Sequence, residues 1–181
     1  MPFERTGGEE VFAGKIARVR VDTFRHDDGE EVKREIVAHP GAVCVFAHDG
    51  ERFYVVTQPR EAVNEQALVE LPAGKLDEEG EDVLATAKRE LAEEIGKGAR
   101  EWRPLTSVYT SAGFSDEEIH LYEATGLFDA EAESDEAERI EIATVPLAEL
   151  DEAIARSKDA KSLVAMLWVR AFGVAGSAES G

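Results

Sequence analysis

The chain has 181 residues, 43% of them apolar, enough for one folded domain with a real core and a small additional lobe. Its formal charge of −19, from 20 Lys and Arg against 39 Asp and Glu, lacks the basic footprint that DNA, long RNA and anionic membranes require. A small anionic substrate stays open if metal ions supply local positive charge. No apolar run approaches the ~20 residues of a membrane span, and the opening MPFERTGGEE lacks the apolar centre of a signal peptide. The single cysteine, Cys44, lies in an apolar run. That rules out an intrachain disulfide and a Cys-based zinc site, and it predicts a buried thiol in a cytoplasmic protein.

From about Glu9 to His39 apolar and polar residues alternate, which predicts strands, with a hairpin turn at Asp27-Asp28-Gly29 before Val32–Val37. His39-Pro40-Gly41 is a break. Two buried strands follow at Ala42–Ala47 and Phe53–Thr57, then a short extended piece at Leu68–Leu71 ending at Pro72-Ala73-Gly74. A helix is expected from about Glu81 to Ile95, capped by Gly96. Strands are expected at Trp102–Tyr109, Glu118–Ala124 and Arg139–Val145. The acidic, Ala-rich stretch Phe128–Glu138 reads as a mobile surface loop. Pro146 is expected to open a helix to about Ser157, and Lys161–Phe172 a second, more apolar one. The order predicts an α+β or α/β sandwich, divided into an N-terminal β lobe (1–39), a main domain (40–173) and a frayed tail (174–181).

The most informative segment runs from Gly74 to Gly96. On a helix, offsets of three and four residues share a face, so Glu90, Glu93 and Glu94 become neighbours. Leu84, Ala87, Leu91 and Ile95 form an apolar stripe that docks the helix. Carboxylates gathered this way repel one another but suit hard divalent cations, which take oxygen ligands. Glu90, Glu93 and Glu94 are the candidate metal ligands. Arg89, beside them, is a fixed cation able to hold these carboxylates or Glu81 in place. A solvated acidic face is the structural alternative.

This segment resembles the Nudix box, G-x5-E-x7-R-E-U-x-E-E-x-G-U, through Glu81, Arg89-Glu90-Leu91, Glu93-Glu94 and Gly96. It departs twice: six residues separate Gly74 from Glu81, and Lys97 stands at the last aliphatic position. Leu71-Pro72-Ala73-Gly74-Lys75-Leu76, Gln58-Pro59-Arg60 and the loop Ser111-Ala112-Gly113-Phe114-Ser115-Asp116-Glu117 are similar to the ADP-ribose pyrophosphatase branch, with Ala112 where that branch usually has proline. The resemblance implies a Nudix α/β/α sandwich with a mixed sheet, whose N-terminal antiparallel β lobe builds a homodimer. It implies Mg²⁺, with Mn²⁺ as a substitute, and adds the Ala73 carbonyl to the metal ligands. It also implies a loop glutamate as general base: Glu136, with Glu138 second as base or accessory ligand. The reaction implied is ADP-ribose plus water giving AMP and ribose 5-phosphate. The alternatives are another nucleoside diphosphate sugar such as GDP-mannose, a dinucleotide, or a non-catalytic ADP-ribose-binding module.

Arg60 is the candidate phosphate ligand, because a guanidinium grips two oxygens at once. Its structural alternative is an ion pair with Glu61 or Glu65. By resemblance Glu117 accepts from a ribose, and Gly113 and Phe114 belong to the same substrate loop. Phe24, Phe12 and Phe114 are each candidates for base stacking or for the core, and Gly74 is expected to permit a tight turn.

Overall fold

The computed structural model describes residues 1–14, 17–78, 80–132 and 139–174. Two compact units emerge: Met1–Gly41 with Val108–Glu118, and Ala42–Ser107 with Ile119–Gly181.

In the first unit β1 (Phe3–Ala13), β2 (Arg18–His26) and β3 (Glu31–Ala38) form an antiparallel sheet in that order. Gly29, at φ 85°, takes the left-handed position of the β2–β3 turn, which an L side chain resists. The strand β1 begins at Phe3, earlier than the alternation from Glu9 predicts. Gly7 and Gly8, which interrupt the alternation, lie within the ladder beside a register shift. A Cβ on Gly8 would stand 2.1 Å from Asp22 Oδ1, so the missing side chain leaves room for the buried Asp22, gripped by Arg5 and Arg20 at 2.8 Å each. Every residue of β1 is exposed. In the segment 108–118, the Ser111 carbonyl accepts from Phe114 and Ser115, and the Phe114 carbonyl accepts from Val37 N–H at 2.7 Å.

The second unit is built on β4 (Ala42–Ala47), buried along its whole length. It runs parallel to β9 (Glu118–Asp129) and antiparallel to the short β7 (Ala73–Lys75), in the sheet order β7-β4-β9-β8 with β8 at Lys97–Tyr109. A second sheet has the order β10-β5-β6: Glu141–Pro146, Arg52–Arg60 and Glu65–Glu70, all antiparallel. Strand residues alternate faces. Val43, Val45 and Ala47 pack with Ala87, Leu91 and Ile95 of α1 (Val83–Ile95), leaving Cys44 and Phe46 for the opposite face, where α3 (Ala160–Phe172) packs on β4. The mixed α/β fold anticipated from the sequence is therefore present. Leu91 has no exposed surface, and its truncation to Ala costs about 2–5 kcal/mol.

Two expectations need correction. Phe128 and Asp129 belong to β9, whose end is tied to the start of β8 where Ala130 N–H donates to the Gly96 carbonyl at 3.0 Å. Pro146 ends β10, paired with Arg52; a 3₁₀ turn at Leu147–Glu149 precedes α2 (Leu150–Arg156). The expected loop residues 133–138 and tail residues 175–181 lie outside the described residues.

Candidate active site

Helix α1 starts where Asp82 accepts from Leu84 N–H at 3.1 Å, and ends at Gly96, φ 64°, whose N–H returns to the Ala92 carbonyl. Its apolar stripe is docked as the spacing requires, with Ala87 and Leu91 wholly buried. The acidic residues on the helix are thereby fixed in direction. Glu94 is buried and its Oε2 accepts from Ala73 N–H at 2.9 Å. Glu90 lies against the next residue of β7: a Cβ on Gly74 would stand 1.8 Å from Glu90 Cδ. Glu90 and Glu94 therefore reach the same strand, β7. Gly74 does not have a left-handed φ, so glycine is required here by Glu90 and not by a turn, a correction to its expected role.

Arg89 clamps the group. Its Nη1 donates to Glu90 Oε1 and Glu93 Oε2, both at 2.9 Å, and its Nη2 to Glu81 Oε2 at 3.1 Å. The Arg89 bond holds the Glu81 carboxyl below the usual range. Burial pushes the Glu90 carboxyl up, against the pull of Arg89. One guanidinium thus faces Glu81, Glu90 and Glu93, with Glu94 close by along the helix. A cleft of about 710 Å³ opens over them, lined by Asp77, Glu78, Glu90, Glu93, Glu94 and Glu131.

A family model described as the NUDIX domain matches residues 38–166. The chain belongs to the Nudix family. It is 40% identical to the methanol dehydrogenase activator of Bacillus methanolicus over 90% of this chain and 89% of that one. It is also 40% identical to the ADP-ribose pyrophosphatase of Bacillus subtilis over 77% and 76% of the two chains. The crystal structure of an ADP compounds hydrolase superposes with a TM-score of 0.81 over 94% of each chain at 20% identity, and so shares the fold.

The Nudix box donors are all oxygen and carry an excess of negative charge, the chemistry that a hard divalent cation demands. As placed, they are turned to Arg89 and the Ala73 N–H. Among the described residues no three His, Cys, Asp or Glu side chains converge into a ready cage. Glu136 and Glu138 lie outside the described residues, while Glu131, on the preceding stem, lines the cleft.

Arg60 makes a two-pronged bond to Glu70, at 2.6 and 2.8 Å. Its ion-pair partner is therefore neither Glu61 nor Glu65, although Glu65 is its register partner in β6. Glu70 is buried and also accepts from Lys161 Nζ at 2.5 Å, which in turn meets Asp159 at 2.9 Å. Sequence reasoning missed Glu70, Asp159, Lys161 and Ser162. The only local signal was Glu70 standing directly before Leu71-Pro72-Ala73-Gly74.

Glu117, Gly113 and Phe114 belong to the first unit. Glu117 Oε2 accepts from Thr110 Oγ1 at 2.8 Å, and nothing crowds the Cβ position of Gly113. Phe114 is exposed and, with Phe3 and Phe24, lines a cavity of about 460 Å³. Phe12 is exposed as well. The core alternative weighed for Phe12 and Phe114 does not hold, because the lobe's sheet leaves both uncovered. Cys44 is fully buried, and burial pushes its thiol far up, as an inert structural thiol requires.

Proposed function

We propose that this Nudix enzyme splits the pyrophosphate of a nucleoside diphosphate sugar with Mg²⁺, and that ADP-ribose, giving AMP and ribose 5-phosphate, is its substrate. The observation that carries this reading is the Nudix box itself: several carboxylates against one guanidinium, on a docked helix beneath an open cleft. Glu90, Glu93, Glu94 and the Ala73 carbonyl would hold the cation. When bound, a divalent cation supplies Lewis acidity and counter-charge to a pyrophosphate.

The chain's own residues do the rest. Arg89 holds Glu81, Glu90 and Glu93 in register, so that the ligand oxygens need little reorganisation. The Ala73 N–H fixes Glu94 from the other side. Glu136 takes the proton of the attacking water, with Glu138 as the second candidate. Arg60 presents to phosphate the part of its guanidinium that Glu70 leaves free. Glu117, Gly113 and Phe114, in the first unit, are the further substrate-binding candidates.

The lobe of residues 1–39 pairs with a second copy of the chain in this reading, supported by the wholly exposed β1 at the sheet edge. The protein works in the cytoplasm. Among the described residues no helix is long and apolar enough to cross a membrane.

A panel of ADP-ribose, GDP-mannose and nicotinamide and flavin dinucleotides tests the substrate. The expected result is the highest kcat/KM for ADP-ribose, with AMP and ribose 5-phosphate as products. Tight binding of ADP-ribose without turnover in Mg²⁺ would instead mark a binding module. Similarity to a methanol dehydrogenase activator favours a second reading, action on a partner enzyme. Under that reading the chain raises the turnover of an added methanol dehydrogenase, and ADP-ribose kinetics stay unremarkable.

A further inference from the structure

The strap that joins β6 to β7 is anchored at its far end by a helix outside the Nudix box. Leu71 N–H donates to Ser162 Oγ at 2.7 Å, and the Ser162 hydroxyl donates in turn to Asp159 Oδ2 at 2.5 Å. Asp159 is the N-cap of α3 and also accepts from Ser162 N–H at 3.0 Å. Leu71 and Ser162 are both buried, so water cannot readily replace their bond. Glu70, one residue earlier, is gripped by Arg60 and by Lys161, in the same first turn of α3. Pro72 follows, its carbonyl accepting from Val45 N–H at 2.8 Å. Ala73 N–H then closes on Glu94. Each residue from Glu70 to Ala73 is thus fixed by a separate bond.

We propose that the first turn of α3, through Asp159, Lys161 and Ser162, is a positioning device for the divalent-cation site. It sets where Ala73 lies, and through Ala73 the direction of Glu94. This deepens the metal reading above and rests on it. The strap has little slack, since Gly74 already lies so close to Glu90 that no Cβ fits between them. Loss of the Ser162 hydroxyl leaves Leu71 N–H buried without a partner, and the strap relieves that by shifting. Partners bonded directly to metal ligands are worth about 10–100-fold in metal affinity; Ser162 acts on Glu94 through Leu71 and Ala73, so its effect belongs at the low end of that range.

The test is Mn²⁺ binding followed by electron paramagnetic resonance without substrate, alongside thermal unfolding. Ser162→Ala is expected to weaken Mn²⁺ binding about tenfold. Asp159→Asn keeps an oxygen for the cap but loses the charge facing Lys161, and is expected to weaken it less. Val169→Ala, buried on the same helix about two turns on, is expected to lower the unfolding midpoint while leaving Mn²⁺ affinity unchanged. Unaltered affinity in Ser162→Ala, or an equal loss in Val169→Ala, would overturn the proposal. If Ser162→Ala does not fold, unaltered affinity in Asp159→Asn overturns it. Wild-type protein that ignores Mn²⁺, or binds it as well after Glu90→Gln and Glu94→Gln, removes the metal reading and this proposal together.

Discussion

Two arginine-centred clusters lie in the second unit, and their charge balance separates their roles. Arg89 faces Glu81, Glu90 and Glu93, with Glu94 nearby on the same helix; one cation meets a surplus of carboxylates under an open cleft. Arg60 and Lys161 face Glu70 and Asp159, two cations against two carboxylates, with Glu70 buried. A balanced set around a buried carboxylate leaves no charge for a cation to fill, and removing one partner is costly. A surplus of oxygen donors beside solvent is the charge balance expected of a cation-binding group, which is the role proposed for it above. In the proposed reading the first cluster binds the cation, and the second holds Arg60 and the segment before Ala73 in place.

The sharpest way to break that comparison is Glu93→Gln. Turnover of ADP-ribose is expected to fall on the order of 10³-fold, while the unfolding midpoint stays or rises because repulsion is relieved. Equal loss of stability and activity would make the Arg89 cluster structural. Gly74→Ala comes next. Its Cβ would displace the Glu90 carboxylate, and misplacement of that order costs about 10²-fold in kcat. Kinetics at saturating Mg²⁺ check it.

For the balanced cluster the expected loss is in stability. Glu70→Gln leaves Arg60 and Lys161 without their shared carboxylate and is expected to cost about 2 kcal/mol, measured by denaturant unfolding. Burial pushes the Glu70 carboxyl up, but the bonds from Arg60 and Lys161 outweigh it and hold it below its ordinary 4.5. Its contribution is therefore complete above that value and lost as pH falls through the lowered one. The wild type should lose stability in this window more steeply than Glu70→Gln. The smallest effect is expected from Arg170→Met, which removes an exposed pair with Asp151. Neither midpoint nor turnover should move, since such pairs contribute little.

What the sequence made legible follows the range of the interactions. Ala42–Ala47, α1 and the Gly96 cap are written in local pattern, and the structure has them where that pattern predicts. The Arg89 clamp was also readable, because its three partners lie within eight residues along the chain. The Arg60–Glu70–Lys161 cluster was not. Glu70 and Lys161 are 91 residues apart, and nothing near Arg60 distinguishes Glu70 from the closer Glu61 and Glu65. The start of β1 was hidden for a different reason: Gly7 and Gly8 interrupt the alternation, although both lie in the ladder and Gly8 leaves room for the buried Asp22.

The central claim is that the surplus carboxylates of α1 take up a divalent cation. Thermal unfolding of the wild type and of Glu90→Gln/Glu93→Gln/Glu94→Gln, each with and without Mg²⁺, tests it most directly. Binding to the folded state alone raises the midpoint, so the wild type should gain with Mg²⁺ and the triple variant should not. Equal gains in both proteins, or none in the wild type, would contradict the account.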